Sequence, residues 1–241
     1  PYKRWSVERY ESNSTPKIIW LYWQNKDSNS KIPEYIQLCI QTIKNNNTDF
    51  TVKLINDNDF KQISSIYNPN FENIYPLGMR SDYISFCILT EFGGIYLDCD
   101  IISINNLTKY FNLLKKYEFI GFEHDNIKGY ISVGIMLSRP NGIIVKRTLN
   151  EMHNYLNTKS VENIPWGYFS DSLRNFIKNS KDKNIYKGFE AKKTVYPTHY
   201  TKSKDYWWSK GNIDDNVLNM DMIYLHNAMY NDTIRNYSKY H

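Results

Sequence analysis

Asp98 and Asp100 stand on either side of Cys99 at the end of the apolar run "GGIYLDCDI", residues 93 to 101. In a strand positions i and i+2 share one face, so the two carboxylates are expected on one side, about 7 Å apart along the chain. With ordinary carboxyl pKa values near ~3.9 both would be ionised, so the pair repels itself and calls for a counter-charge. Two oxygen donors on a rigid strand end suit a hard divalent cation that keeps coordination positions open for water and phosphate oxygens. The plainer alternative is a solvated loop in which two aspartates merely end a strand, and the surroundings have to decide between the two.

Those surroundings predict a positioned pair. Ser81 to about Phe92 reads as a helix, with Ser81 as candidate N-cap and Tyr83, Phe86, Cys87 and Thr90 on one side. Gly93-Gly94 supplies the left-handed residue that ends it, and "IYLD" comes next as a strand. Upstream, "KIIWLYW" at 17 to 23 is continuously apolar, as in a strand buried on both faces. Ile36, Cys39, Ile40 and Ile43 then fall at i, i+3, i+4 and i+7 after Pro33, marking an amphipathic helix that ends in the Asn45 to Asn47 cluster. "FTVKLI" at 50 to 55 is a second strand, and this β-α-β order opens a parallel, helix-covered sheet. Further strands are predicted at 118 to 122, 131 to 137 and 222 to 225. Helices are predicted at about 141 to 157 and at about 171 to 179, the latter with Ser170 as N-cap. In such a sheet ligands bind at the carboxyl ends of strands, where the aspartate pair falls.

The bulk properties narrow the partners. The 241 residues suffice for one well-buried α/β domain, and no linker or repeat divides them, so residues 1–16 are expected to form an arm and 17–241 a single domain. The net charge of +5 is spread along the chain, which argues against a nucleic-acid partner and suits an anionic small molecule. Cys39, Cys87 and Cys99 have no metal-ligand spacing and leave an odd thiol, so a reducing, cytoplasmic setting is the expectation. No apolar run reaches the roughly 18 to 20 residues of a membrane span. The chain opens on Pro1, so a removed N-terminal anchor and a peripheral membrane association both stay compatible with it.

The unit "RSDYISFCILTEFGGIYLDCDI" resembles the sugar-binding segment of glycosyltransferase family 32, which includes capsular-polysaccharide-type and yeast mannosyltransferase-type enzymes, and is similar to that of the large clostridial toxin glucosyltransferases. "PKIIWLYWQ" at 16 to 24 looks like the family's first strand, and "IYLHN" at 223 to 227 carries a weaker likeness. The resemblance implies an α/β fold of GT-A type, with a Rossmann-like, mostly parallel central sheet covered by helices. It implies a hexosyltransferase that binds a nucleotide-sugar through Mn²⁺ or Mg²⁺. A UDP-sugar is favoured over a GDP-sugar, the acceptor is a glycan or a protein, and configuration is retained. By position, Asp100 would ligate the metal, while Asp98 would contact the ribose or sugar and hold metal-bound water. Asp82 would accept hydrogen bonds from sugar hydroxyls, and Tyr96 falls among the donor contacts. Trp23 matches the aromatic against which the nucleobase stacks, with a plain core role as its alternative.

Two positions depart from the family pattern. Where relatives commonly read Ser-Asp-x-x-Arg, this chain has Ser85, and a hydroxyl cannot replace a charged, bidentate guanidinium. Arg80 is the candidate to reach the donor from another direction. Near the C-terminus, His226 matches the family histidine and suits a metal site begun by two carboxylates, but Asn231 and Asp232 stand where a Ser-Trp pair is typical. Asn231 could offer an amide oxygen to the metal. On the acceptor side the candidates are Asp171 in "PWGYFSDS" and Glu123, beside His124. "VGIMLSRPNG" at 133 to 142 is similar to the segment under the acceptor side of the donor pocket, and its Gly134 permits close backbone approach. "KSKDYWWSKGN" at 202 to 212 could supply a cation and a tryptophan lid. A nucleotide-sugar-binding or carbohydrate-binding protein with little transfer activity remains the competing function.

Overall fold

The computed structural model describes residues 15–25, 30–75, 77–124, 129–158, 167–181, 185–195, 217 and 219–226. Six described strands form the main sheet: β1 (Ile18–Tyr22), β2 (Thr51–Ile55), β3 (Gly94–Leu97), β5 (Phe119–Glu123), β6 (Ile131–Ser138) and β7 (Tyr186–Glu190). Their order across the sheet is β2-β1-β3-β6-β5-β7. β1 pairs in parallel with β2 and β3, and β5 in parallel with β7, whereas β6 runs antiparallel to both of its neighbours. A separate two-stranded antiparallel ribbon joins β4 (Ile101–Ser103) to β8 (Met222–Tyr224). The described helices are α1 (Glu34–Asn46), α2 (Asp57–Ile63), α3 (Leu77–Glu91), α4 (Thr108–Phe111), α5 (Ile143–Thr158), α6 (Tyr168–Asn179) and α7 (Ala191–Thr194). No described helix is long and apolar enough to cross a membrane.

The continuous hydrophobicity of β1 reflects helices on both of its faces. Ile18, Trp20 and Tyr22 enter one apolar cluster with residues of α3, α5 and α6; Ile19 and Leu21 enter the other with residues of α1, α4 and α7. α1 buries Ile36, Cys39, Ile40 and Ile43, the stripe its spacing predicts. Each of those isoleucines contributes about 1.5–3 kcal/mol relative to an exposed one. The β1-α1-β2 opening is parallel, as the sequence implies.

α3 starts one turn earlier than predicted, at Leu77, so Ser81 lies inside the helix and is not its cap. Pro76, just before Leu77 in the sequence, is the local start signal. The helix is also buried almost all round, from Tyr83 through Thr90, because the sheet and α5 pack against it from different sides. Its end is as expected: Gly93 and Gly94 have φ of +68° and +101°. A Cβ on Gly94 would lie 2.7 Å from the Ile18 carbonyl oxygen, so close packing of β3 on β1 demands glycine there as well. The indole of Trp20 donates to the Gly93 carbonyl at 3.0 Å and pins the turn. α6 likewise starts earlier than its sequence suggests, with Gly167 at φ +83° as its N-cap, while the Ser170 hydroxyl bonds back to the Gly167 carbonyl.

Candidate functional site

β3 stops at Leu97, and the chain then enters a turn. The same-face spacing expected of Asp98 and Asp100 is therefore corrected: the backbone folds back, with Ile101 N–H donating to the Asp98 carbonyl at 3.3 Å. The turn is fixed on two sides. Asp98 N–H donates to the Gly134 carbonyl of β6 at 2.8 Å, and Leu225 N–H, just after β8, donates to the Asp100 carbonyl at 3.1 Å. Cys99 turns inward, buried among apolar residues with its thiol donating to the Tyr22 carbonyl at 3.2 Å.

Around the Asp98 carboxylate the molecule places hydroxyls. Tyr224 on β8 donates its phenol O–H to Asp98 Oδ2 across 126 positions of sequence. The Tyr96 hydroxyl also supports the Asp98 charge, and it shares a 2.6 Å hydrogen bond with Ser81 Oγ. A Cβ at position 134 would strike both the Asp98 carboxylate and the Tyr224 hydroxyl, so this pair fills the space that Gly134 leaves. Asp82, one residue beyond Ser81 on α3, completes an acidic cluster. Burial pushes its carboxyl well above the usual range, and the charge of Asp98 pushes it further. Burial raises Asp98 too, against the lowering effect of the Tyr224 and Tyr96 hydroxyls. Burial lifts the Tyr224 phenol, and the negative charges of Asp98, Asp100 and Asp82 add to that. Among the described residues neither Asp82 nor Asp98 makes an ion pair.

His226 arrives beside this turn through the same strand. Its ring stacks on Tyr224, with centroids 4.3 Å apart and planes at 23°. Its φ of 57° is left-handed, an uncommon backbone for a non-glycine residue and one that recurs at functional sites. Among the described residues, no group of three or more His, Cys, Asp or Glu side chains is drawn together as a metal centre.

The remaining candidates are spread more widely. Trp23, next after β1, is half-buried and packed against the α1 side of the core, with its indole N–H donating to Asn25 Oδ1 at 2.8 Å. Arg80 directs its guanidinium to Asp57 at 2.7 Å and to the carbonyls of Glu72 and Ile74, tying α3 to the start of α2. Ser85 is wholly buried, its hydroxyl bonded to the Asp82 carbonyl at 2.7 Å. Glu123 accepts from Gly129 N–H at 2.8 Å and from the Tyr186 hydroxyl at 2.9 Å. Asp171 is exposed in the first turn of α6 and lines a crevice of about 510 Å³ between α5 and α6, with Arg147, Glu151 and Asn175. Asn231, the stretch 202 to 212 and the N-terminal arm up to residue 14 lie outside the described residues. Tyr224 and Ser81 have no place in the sequence-derived site. A signal for Tyr224 exists, because on a strand over 222 to 225 it lies two residues before His226 and so shares its side.

The profile of the family described as capsular polysaccharide synthesis protein matches residues 2–194. No curated protein matches the chain. Among solved structures, a glycosyltransferase involved in the glycosylation of the major capsid of PBCV-1 aligns at 11% identity and a TM-score of 0.56, over 92% of this chain and 98% of that one. The apo form of glycosyltransferase GlyE from Streptococcus pneumoniae TIGR4 aligns at 14% identity and a TM-score of 0.51, over 91% of this chain and 55% of that one. Mouse xyloside xylosyltransferase 1 aligns at 6% identity and a TM-score of 0.50, over 90% of this chain and 99% of that one. At these identities the likeness is one of fold.

Proposed function

The chain belongs to the capsular polysaccharide synthesis protein family and is a glycosyltransferase by family and fold, and from this premise we propose that it moves a hexose from a nucleotide-sugar to a glycan or protein acceptor with the help of Mn²⁺ or Mg²⁺. The donor is a UDP-sugar in first place, a GDP-sugar in second, and the family resemblance supports retention of configuration. The observation that carries the reading is that Asp98 and Asp100 follow the carboxyl end of β3, with Tyr224 at the end of β8 bonded to Asp98 and stacked on His226.

Carboxylate and imidazole donors are of the type that suits a divalent cation. A diphosphate brought bare to within about 4 Å of one of these carboxylates would meet repulsion of ~4 kcal/mol per unit charge pair at an effective dielectric of about 20. Asp100 and Asp98 would hold the cation, with His226 and Asn231 completing the protein ligands. A cation bound there would supply Lewis-acid neutralisation of the charge that builds on the departing diphosphate. Asp82 accepts the hydroxyls of the donor sugar, and Asp98, fixed by the Tyr224 hydroxyl, keeps one orientation toward the ribose or sugar. Trp23 offers its ring to the nucleobase. On the acceptor side Asp171 stands in its crevice, and the departing diphosphate can itself take the acceptor proton.

A second reading, a nucleotide-sugar-binding protein with little transfer, is favoured by one observation. The position where relatives carry arginine is the buried Ser85, and Arg80 is engaged with Asp57, Glu72 and Ile74. Thermal-shift measurements with UDP-, GDP- and CMP-sugars, with and without Mn²⁺, test the donor site, because a ligand that binds only the native state raises its stability by mass action. The expected result is a Mn²⁺-dependent rise with a UDP-sugar. No such rise with any nucleotide-sugar refutes the donor site, and a rise without donor turnover selects the second reading.

A further inference from the structure

We infer that Tyr224 is a positioning residue of the donor site: its hydroxyl fixes the Asp98 carboxylate while its ring seats His226, so one side chain sets the geometry of two groups that face the donor. The inference rests on the reading of Asp98 as part of a cation-dependent donor site. Asp98 and His226 belong to different parts of the chain, and β3 and β8 lie in different sheets, so no shared ladder aligns them. What connects them is local. Leu225 N–H holds the Asp100 carbonyl, Tyr224 N–H holds the Val195 carbonyl at 3.1 Å, and the Tyr224 side chain spans the gap, with Asp98 at its hydroxyl and the His226 ring against its face.

The space for this arrangement is reserved. β6 passes beside the pair with a glycine, where a methyl group would displace both the Asp98 carboxylate and the Tyr224 hydroxyl. The Tyr96 hydroxyl, two residues before Asp98, is itself tied to α3 through its bond to Ser81 Oγ. A carboxylate held by a phenol keeps its lone pairs aimed one way, which is what a hydrogen-bonded outer partner does for a ligand group. Without the Tyr224 hydroxyl, the Asp98 carboxylate loses that orientation.

Calorimetric titration of Mn²⁺ into the full chain, in the presence of UDP and separately of GDP, tests the inference against Tyr224→Phe, which removes the hydroxyl and keeps the ring on His226. The expected result is an unchanged unfolding temperature without ligand and a Mn²⁺ affinity weakened about tenfold or more. Turnover of the accepted donor should show a lower kcat with little change in donor KM. A wild-type chain that binds Mn²⁺ with neither nucleotide removes the donor-site reading and this inference together. A wild-type chain that binds, beside a Tyr224→Phe chain of equal Mn²⁺ affinity, overturns the inference alone. Should Tyr224→Phe not fold, Gly134→Ala keeps both groups and displaces them together; a similar loss of affinity supports the positioning of the pair, and wild-type affinity overturns it.

Discussion

Asp221 and Asp98 are both tied to β8, one just before its first residue and the other through Tyr224 at its last, and the molecule treats them in opposite ways. Asp221 receives the Lys109 ammonium at 2.6 Å, the Tyr110 hydroxyl at 2.5 Å and the Asn105 amide at 3.2 Å. Burial alone would raise its carboxyl, but these partners, Lys109 foremost, hold it below the usual range. Among the described residues the Asp98 carboxylate receives the Tyr224 hydroxyl and no cation, stands near two further carboxylates, and is raised by its burial. A carboxylate that only holds structure together brings its own cation. One proposed to bind a charged ligand is kept oriented and, among the described residues, without a cation.

Removing the charge at each end should separate these roles. Asp100→Ala should lower metal-dependent donor turnover by about 10³-fold, ~4 kcal/mol of transition-state stabilisation, with little change in the unfolding midpoint. Equal turnover would refute the metal assignment. Asp221→Ala should do the reverse: urea unfolding should report a loss of about 2–3 kcal/mol as buried donors lose their acceptor, while the folded fraction keeps its Mn²⁺ dependence. A loss of metal response at unchanged stability would erase the distinction between the two carboxylates.

Acidification sharpens the contrast. The folded-state pKa of Asp221 is depressed, so its contribution to stability is fully present above the unfolded value near ~3.9 and is lost as pH falls through the folded value. The wild type should therefore lose more stability than Asp221→Asn on passing from about pH 5 to below the unfolded carboxyl pKa, as tracked by denaturant midpoints. The smallest effect is expected at Asp82, whose carboxyl is raised by its burial and by the charge of Asp98. Asp82→Asn should stabilise the ligand-free protein at neutral pH by about 1 kcal/mol and weaken donor binding at the same time. Destabilisation by that variant would mean that Asp82 has a compensating partner.

Much of the framework is legible in the residues. The apolar run of β1, the spacing of α1 and the Gly93-Gly94 stop each arise from local physics, and each is found where the residues place it. The starts of α3 and α6 differ from expectation because Ser81 and Ser170 are good capping residues by type, yet each sits within its helix, bonded to Tyr96 or to the Gly167 carbonyl. β4 and β7 are not legible: β4 is three residues long, and β7 is half-buried along its whole length, so neither gives a strong periodic signal. The reversal of β6 within the otherwise parallel sheet carries no local signature at all.

The sequence by itself determined that two carboxylates come after a glycine-ended helix and a buried strand, and that a histidine closes a later apolar stretch, because residue type and near-neighbour spacing act over a few positions. Only the tertiary structure decided that the aspartates lie on a turn rather than a strand face, that Gly134 makes room for Tyr224, and that Tyr224 joins Asp98 to His226. Those contacts span up to 126 positions, and their geometry depends on how β6 and β8 pack beside β3.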